Sequence, residues 1–470
     1  MTPFDATVEM TAIVRSMQRA QLASGPADAG LRRDRLGRAM ALLLDNGEAL
    51  AGAINADFGT RSRFQSLAAD VGSSVRSLSY AAEHVAAWMQ SESVETPDGA
   101  ISARIDYQPL GVVGIISPWN FPVNLAFSPL AGVFAAGNTA LIKPSELTPR
   151  TSELLAELAG RYFAPHELGV ILGDATVGEA FSRLPLDHLI FTGSTTVGKQ
   201  VMRAAAENLV PVTLELGGKS PVVIAPDADA GRAAQRVMAV KTFNAGQICL
   251  APDYVLATRG QEAAFVDGAR DAVAASWPAI QGNPDYTAII SQRHYDRLLE
   301  LIADALAKGA TPIPLTPLGE PPHDPATRKI APVILTDVTP AMQVMREEIF
   351  GPILPLMGVD DVDAAVAHIN AGPRPLAAYY FGADEAARQS FAARTTSGAL
   401  VFEDVMTHVG IEGLPFGGVG ASGMGAYHGI HGFRRFSHAR AVAVQGGDGL
   451  GKLRAPYTEK LAQLEAMLVR

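Results

Sequence analysis

Hydrophobic residues in the first hundred positions follow a helical period. Between residues 31 and 54, apolar side chains recur at Leu36, Met40, Leu43, Leu44, Leu50 and Ile54. Positions three or four residues apart share one face of a helix, so this part of the chain is predicted to be mostly helical. The first twenty residues are predicted to form a helical lead-in.

After residue 100 the hydrophobic pattern changes to short apolar runs. The run GVVGIIS at 111–117 is continuous, which is typical of a parallel strand that is buried on both faces. Similar runs alternate with amphipathic segments as far as PVTLEL at 211–216. This alternation predicts a doubly wound α/β layer around a parallel sheet.

A second series of the same kind follows. It contains PVVIA at 221–225, a helix at about 229–243, and further pairs that end with GALVF at 398–402. The segment ELGGKSP at 215–221 combines two glycines, a serine and a proline between the two series. It is therefore a predicted domain boundary.

Two β-prone segments and a glycine-rich segment lie outside both series. ARIDYQPL at 103–110 and HARAVAVQ at 438–445 are isolated in the sequence and could pair with each other as an arm. LPFGGVGASGMGAYHG at 414–429 is predicted either to be mobile or to form tight turns against another surface.

Length and composition narrow the class of protein. A chain of 470 residues exceeds the size of a single hydrophobic core, so two or three domains are expected. No uncharged apolar run reaches about 18 residues, and the N-terminus lacks the basic start and apolar core of a secretory signal. We therefore predict no membrane span and a cytoplasmic location. The formal net charge of -10, without a dense basic stripe, argues against nucleic-acid binding.

The chain has a single cysteine, Cys249, which excludes an internal disulfide and a cysteine cluster for zinc or iron–sulfur ligation. Four histidines crowd the C-terminal region but show no helical i, i+4 pair and no carboxylate partner at useful spacing. No metal site is predicted, and the default interpretation is that these histidines are satisfied or lie at the surface. They are His408, His428, His431 and His438.

Residues 187–208 predict a strand, a glycine turn and a helix. The free N–H groups at the start of such a helix suit a phosphate or pyrophosphate, and Gly193 and Gly198 would let the backbone approach it closely. The dinucleotide fingerprint G-x-G-x-x-G is absent here. The triphosphate loop G-x-x-x-x-G-K-[ST] fails because Gln200 replaces the magnesium-binding hydroxyl. A dinucleotide held in a variant manner fits best, and a turn without a ligand is the alternative.

A second candidate for ligand binding is ALIKPSE at 140–146, at the C-terminal end of a predicted strand. Ligands bind at that edge of open α/β sheets. Lys143 and Glu146, with Ser145 between them, could hydrogen-bond ribose hydroxyls. A solvated, charged loop is the alternative interpretation.

Three residues are candidates for catalysis. Cys249 follows a Gly-Gln turn between a predicted helix and a strand, so its thiolate could be exposed and reactive if its pKa is lowered. Glu215 is the only ionisable residue in an apolar segment, where desolvation would raise its pKa towards that of a general base. Asn120, after a buried strand, could donate to an oxyanion. The alternatives are a buried cysteine, an outward-facing strand residue and a turn residue.

The motifs that contain these residues resemble the aldehyde dehydrogenase superfamily, in the same order and from about residue 30 to residue 440. The APDY after the cysteine, with SGMGAYHG and FSHAR, resembles the class 3 branch, and within it the bacterial coniferyl aldehyde dehydrogenases. The motifs are SPWNFP, IKPSE, FTGSTTVGK, LELGGKSP, GQICLAPDY, EEIFGP and LPFGGVGASGMG.

The resemblance implies a role for each candidate residue. Cys249 would be the nucleophile, Glu215 the base that activates the hydrolytic water, and Asn120 an oxyanion donor together with the backbone N–H of Cys249. The expected cofactor is NAD, with NADP as an alternative. The residues expected to bind it are Trp119, Lys143, Ser145, Glu146, Gly193, Ser194, Gly198, Glu348 and Phe350.

The resemblance also implies an architecture and a reaction. Residues 1–100 and 111–216 would form a Rossmann-like cofactor domain, 217–412 a catalytic domain, and 101–110 with 427–446 an oligomerisation arm of a dimer or tetramer. An aldehyde would be oxidised to its acid through a thiohemiacetal and a thioester.

The sequence leaves the substrate open. Class 3 enzymes generally carry Asn-Asp near the substrate entrance, where this chain has Glu403-Asp404. Aromatic cinnamyl-type aldehydes are the first expectation and medium-chain aliphatic aldehydes the second. A reductase linked to acyl phosphate or coenzyme A, and a non-catalytic binding protein, are the alternative functions. Glu215 argues against the first, and the intact Cys249, Glu215 and Asn120 argue against the second.

Overall fold

The computed structural model describes residues 3–96, 101–447, 451 and 453–468. The predicted cofactor domain therefore includes positions 1–2 and 97–100, which lie outside the described residues. None of the helices in the described ranges is long and apolar enough to cross a membrane.

The helices confirm the helical period of the first hundred residues and the amphipathic segments that follow. A π-helical stretch at Ser66–Gly72 continues into the fifth helix. The helices are α1 (Pro3–Ser24), α2 (Ala29–Asp45), α3 (Gly47–Phe58), α4 (Arg63–Gln65), α5 (Ser73–Trp88), α6 (Asn124–Ala135), α7 (Pro149–Tyr162), α8 (Ala175–Ser182), α9 (Thr195–Ala206), α10 (Ala230–Thr242), α11 (Glu262–Ser276), α12 (Gln292–Ala307), α13 (Val362–Ala371), α14 (Glu385–Arg394), α15 (Gly429–Arg435) and α16 (Thr458–Leu468).

The strands form two large sheets, a small arm and a two-stranded ribbon. They are β1 (Glu92–Val94), β2 (Ile101–Pro109), β3 (Val112–Ile116), β4 (Thr139–Lys143), β5 (Leu168–Val170), β6 (His188–Gly193), β7 (Val212–Leu216), β8 (Pro221–Ile224), β9 (Tyr254–Thr258), β10 (Thr311–Pro314), β11 (His323–Asp324), β12 (Lys329–Ile330), β13 (Val333–Thr336), β14 (Ile353–Val359), β15 (Ala377–Phe381), β16 (Ala399–Phe402), β17 (Gly423–Met424) and β18 (Ser437–Gln445).

The first sheet has the order β17-β7-β6-β3-β4-β5, and its strands are parallel except for β17. From β3 the chain moves outward to β4 and β5, and then returns to β6 and β7 on the other side. The direction of winding therefore reverses between β3 and β6. In open α/β sheets, ligands bind in the crevice at the carboxyl ends of the two strands at such a reversal.

The second sheet has the order β10-β13-β14-β9-β8-β15-β16 and is parallel except for β10. Its strands lie between residues 221 and 402, with β10 at one edge. The two sheets together confirm the predicted α/β class. The exact domain boundaries stay a prediction.

The arm is a three-stranded antiparallel sheet of order β1-β2-β18. Ile101 pairs with Gln445 and Pro109 with Ser437 at its two ends. Within the range 427–446, residues 429–435 form α15 instead of extended chain, because Phe433 and Phe436 bury their rings in the core beside α6.

The glycine-rich segment forms tight turns against the first sheet. Gly420 has φ +65°, and Gly423, with φ +141°, pairs with Glu215 of β7. A Cβ on Gly423 would lie 2.1 Å from the carbonyl oxygen of Leu214, so only glycine allows this approach. Of the two sequence alternatives, the tight turns are the observed one.

Candidate active site

A cleft of about 790 Å³ opens at the reversal point of the first sheet. Its walls come from the carboxyl ends of β3, β4 and β6 and from α8 and α9. Six of the predicted cofactor-binding residues line it, namely Trp119, Lys143, Ser145, Glu146, Gly193 and Ser194.

The segment after β4 supplies a charged pair to this cleft. Lys143 is buried, and its Nζ donates to a Glu146 carboxylate oxygen at 3.0 Å and to the Pro144 carbonyl at 3.0 Å. The Ser145 hydroxyl accepts from the backbone N–H of Leu147 at 3.2 Å, which fixes the turn. The alternative of a solvated, charged loop is wrong for Lys143, because its side chain is only 3% exposed. The Glu146 side chain is 43% exposed.

The start of α9 faces the same cleft. The Ser194 hydroxyl accepts from the backbone N–H of Val197 at 3.3 Å and caps the helix. The remaining first-turn N–H groups have no intrahelical acceptor, so this end of the helix suits an anionic group.

Three predicted cofactor residues do not line this cleft. Gly198 is buried where α9 packs on β7, and an added Cβ would lie 2.6 Å from the Leu216 side chain. Glu348 packs its carboxylate against Gly217. The Phe350 ring stacks edge-on against Trp119 at 5.3 Å, so it contacts the cleft through that residue. Their roles in cofactor binding stay predictions.

Cys249 lies on the loop between α10 and β9, as its sequence neighbours predict. The loop begins with a sharp turn in which Asn244, Ala245 and Gly246 all have positive φ. A Cβ on Gly246 would lie 2.5 Å from the Gly351 carbonyl oxygen, so this position requires glycine. The Gln247 side chain then donates to the carbonyls of Asn244 at 3.0 Å and Ala288 at 3.1 Å. These contacts fix the peptide that precedes the cysteine.

The thiol of Cys249 is not activated in the way that the sequence suggested. Burial, followed by the nearby Glu348 and Glu215, raises the pKa of Cys249 to about 12. The backbone N–H groups of Cys249 and Leu250 oppose this shift but do not overcome it. The reactive thiolate therefore requires a base that takes the thiol proton.

Glu215 is a candidate for that base, since its charge acts on the Cys249 thiol. It is 3% exposed on β7, so it is not an outward-facing strand residue. Burial raises the pKa of Glu215 well above its ordinary value, while Arg435 and the N–H of Gly418 act in the opposite direction. A carboxyl group with a raised pKa can take and release protons near neutral pH.

Asn120 joins the cysteine loop to the end of β3. Its side-chain Nδ2 donates to the Gln247 carbonyl at 3.1 Å, two residues before Cys249. Its backbone carbonyl accepts from Arg61 Nη1 at 2.6 Å and from Asn244 Nδ2 at 3.2 Å. Because an amide nitrogen carries two protons, one N–H stays available for an oxyanion.

The EEIFGP segment is held by Asp253, a residue of the APDY motif. Its carboxylate accepts from the backbone N–H of Ile349 at 2.9 Å and pairs with Lys219. Burial, and secondarily Asp253, raise the pKa of Glu348 to about 8. These contacts place Glu348 beside the cysteine loop.

An aromatic cluster lies next to the cysteine. Phe416 stacks on His428 at 4.9 Å and on His408 at 6.3 Å, and meets Tyr427 edge-on at 5.4 Å. Burial, followed by the charges of Glu215 and Cys249, raises the pKa of Tyr427. Burial lowers the pKa values of His408 and His428 to about 4, and both are neutral at pH 7.

Glu403 and Asp404 are tied to cations instead of facing this cluster. Glu403 pairs with Arg388 at 3.1 Å and accepts from the backbone N–H of Gly382, and Asp404 pairs with Arg236 at 3.3 Å. These pairs join the loop after β16 to α10 and α14.

Sequence reasoning missed several residues of the site. Arg61, Gln247 and Asp253 act through backbone atoms of distant segments, and no local pattern marks them. The helix residues of the cleft have a weak signal, since Val197, Gln200 and Ala204 recur at helical spacing after the glycine turn. In the described part of the chain, no group of three or more His, Cys, Asp or Glu residues could hold a metal ion.

Comparison with known proteins identifies the family of the chain. Residues 3–442 match the aldehyde dehydrogenase family. A coniferyl aldehyde dehydrogenase of Pseudomonas sp. strain HR199 is 56% identical over 455 residues, which cover 96% of this chain and 95% of the relative. Aldehyde dehydrogenase family 3 member A2 of Rattus norvegicus is 44% identical over 75% of this chain and 72% of its own.

A solved structure has the same fold. The substrate-bound state of Staphylococcus aureus AldH superposes with a TM-score of 0.91 at 34% identity, covering 98% of this chain and 99% of that chain. The chain is therefore an NAD(P)-dependent oxidoreductase, and it belongs to the aldehyde dehydrogenase family.

Proposed function

We propose that this protein oxidises an aromatic aldehyde of the coniferyl type to the carboxylic acid, with Cys249 as nucleophile, Glu215 as base and Asn120 as oxyanion donor. The observation that carries the proposal is the convergence of a half-buried thiol, a buried carboxyl group and a fixed amide from three distant segments. The sequence around each of the three residues does not by itself bring them together, because they are far apart along the chain.

The cysteine step follows from these groups. Glu215 takes the thiol proton, and the sulfur of Cys249 adds to the aldehyde carbon. The carbonyl oxygen becomes an oxyanion that accepts from the free N–H of Asn120 and from the backbone N–H of Cys249. A nicotinamide cofactor held in the cleft by Lys143, Glu146 and Ser194 would supply the acceptor for the hydride that leaves the same carbon, and a thioester to Cys249 remains.

Hydrolysis completes the reaction. After the first step Glu215 has released its proton, so its carboxylate can take a proton from water. The hydroxide attacks the thioester carbon, and the carbon–sulfur bond breaks to release the acid and the thiolate. The balance is one aldehyde, one oxidised cofactor and one water to one acid, one reduced cofactor and one proton.

The cleft fits a dinucleotide. Its volume, the Lys143–Glu146 pair for ribose hydroxyls and the N-terminus of α9 for the pyrophosphate match the parts of that ligand. Glu146 would oppose a 2′-phosphate, which favours NAD, with NADP as the alternative cofactor.

The aromatic cluster supports the choice of substrate. Phe416 and Tyr427 belong to the same core cluster as Cys249, with His428 stacked on Phe416, and aromatic rings suit a planar conjugated aldehyde. The relative from Pseudomonas carries the name of that substrate. Medium-chain aliphatic aldehydes would gain the same apolar burial without ring stacking.

The arm supports an oligomer. In the described residues β18 is an edge strand with mostly exposed side chains, including Val444. An exposed edge of this length is normally covered by another chain or element. A homodimer is the smallest assembly that covers it, and light scattering after size exclusion measures the mass.

The test is NADH formation by purified protein with NAD or NADP and a panel of coniferyl, cinnamyl, benzyl and aliphatic aldehydes. Turnover is expected to be fastest with coniferyl aldehyde and absent in Cys249→Ala, and mass spectrometry should identify the free acid. No turnover from folded protein with any aldehyde and either cofactor would refute the proposal. Turnover that requires phosphate or coenzyme A would identify the acyl-acceptor reductase instead.

A further inference from the structure

Strand β7 divides its side chains between two environments. Val212, Leu214 and Leu216 pack into the cluster under α1, α8 and α9. Thr213 and Glu215 alternate with them and therefore share the opposite face. A side chain bound to Thr213 therefore lies on the same face of β7 as the Glu215 carboxyl group, two residues along the strand.

Arg435, the last residue of α15, is fixed at that point. Its Nε donates to the Thr213 hydroxyl at 2.8 Å, and its Nη2 donates to the Val212 carbonyl at 2.5 Å. Two bonds from one planar group leave the guanidinium little freedom to move. Arg435 is half-buried, so water screens its charge less than that of a surface arginine.

Arg435 can only donate, so the Thr213 hydroxyl accepts from it. The same hydroxyl shares a hydrogen bond with His188 Nε2 at 2.9 Å. Burial, and secondarily Arg435, lower the pKa of His188 to about 3, so His188 adds no second positive charge.

The surroundings of Glu215 single out Arg435. Neither carboxylate oxygen has a hydrogen-bond partner, although the Gly418 N–H lies close enough to favour negative charge. From the other elements around it, the Cys249 thiol and the Tyr427 hydroxyl interact with Glu215, and both disfavour a second negative charge. Among the described residues, Arg435 is the cation that acts on this carboxyl group.

We propose that Arg435 is a positioning residue for catalysis, which holds Glu215 ready to ionise and so sets the pH at which the thioester is hydrolysed. It lies outside the reacting atoms and acts through its charge, fixed on β7 by Val212 and Thr213. The proposal rests on the role of Glu215 as base. Because Arg435 is the last residue of α15, which leads into β18 of the arm, the same contact links α15 to the hydrolytic step.

The experiment compares Arg435→Gln with Arg434→Gln in the full-length protein. Arg434 is the adjacent residue, but it is exposed and pairs with Glu92 at 2.6 Å, so it is a matched control. The steady-state rate with NAD and coniferyl aldehyde is measured from pH 5.5 to pH 9.5. The fraction of chains that carry the acyl adduct is measured after acid quench by mass spectrometry.

Removal of the charge should raise the pKa of Glu215 and move the acid limb of the rate profile upward by about one pH unit. At pH 6.5 the Arg435→Gln rate should fall about tenfold and the acyl adduct should accumulate. Arg434→Gln should follow the unmodified protein. Arg435→Met is a second neutral variant, for use if the glutamine variant does not fold, and it should shift the limb in the same direction.

Two results would overturn the inference. One is a folded Arg435→Gln or Arg435→Met protein, with an unchanged melting temperature, whose acid limb does not move. The other is a rate loss that is equal at every pH, which a merely structural role would give. Glu215→Gln separates this failure from that of the proposed function: it should lose NADH formation at every pH, because neither the thiol nor the water then has a base, and normal turnover would refute the base itself.

Discussion

Arg61 donates a hydrogen bond from Nη1 to the backbone carbonyl oxygen of Asn120, at a distance of 2.6 Å. Asp70 pairs with the same guanidinium at 2.8 Å, and both side chains are fully buried. The ring centres of Phe58 and Phe121 each lie 4.9 Å from the guanidinium carbon of Arg61. A buried ion pair thus fixes the peptide that carries the proposed oxyanion donor.

Asp70→Asn should lower the free energy of unfolding by about 3 to 5 kcal/mol, because the Arg61 charge would be left buried and uncompensated. Urea denaturation at pH 7 measures the loss. Glu48→Gln breaks an exposed pair with Arg63 and should leave the midpoint unchanged. A midpoint for Asp70→Asn equal to that of Glu48→Gln would contradict the structural role of the buried pair.

Asn120→Ala should lower kcat by about 10²- to 10³-fold, the usual cost of one oxyanion donor. Because the lost N–H acts on the transition state, KM should change much less than kcat. Steady-state kinetics with a saturating cofactor measures both. Asn124→Ala removes a nearby amide that bonds to Ser73 and should alter kcat by only a few fold; an equal loss in both variants would point to damage to the fold.

Alkylation of Cys249 should accelerate with pH in the protein without cofactor. Burial and two carboxylates raise the pKa of the thiol to about 12, so the thiolate fraction increases about tenfold for each pH unit from 7 to 10. Iodoacetamide labelling followed by mass spectrometry measures this rate, and the single cysteine makes the signal unambiguous. A rate that is already constant at pH 7 would mean that the thiol is ionised there.

Glu146→Gln should shift the cofactor preference towards NADP by about tenfold in the ratio of kcat/KM values, which corresponds to about 1.4 kcal/mol. The Glu146 carboxylate pairs with Lys143, so its removal frees the ammonium group for a 2′-phosphate. Glu179→Gln is the control, since Glu179 lines the same cleft but pairs with Arg183. An unchanged ratio in Glu146→Gln would show that another residue discriminates between the cofactors.

Local patterns in the sequence predicted the elements that place the site. The continuous apolar run at 111–117 predicted β3, and the segment at 187–208 predicted β6, its turn and α9. Glu215 was singled out as a carboxylate in an apolar strand, and Cys249 by its place on a loop. These features depend on backbone preferences and burial within about ten residues of chain, so they are visible without a tertiary structure.

Contacts between distant segments were decided only by the tertiary structure. Arg61 and Asn120 are 59 residues apart, and Arg435 lies 222 residues from Thr213. The raised pKa of Cys249 also depends on carboxylates brought from β7 and from the EEIFGP segment. The sequence alone determined the main strands, turns and helices and the candidates for the chemistry. The pKa shifts of Cys249 and Glu215 were decided only by the folded chain, because charges interact through space and not along the sequence.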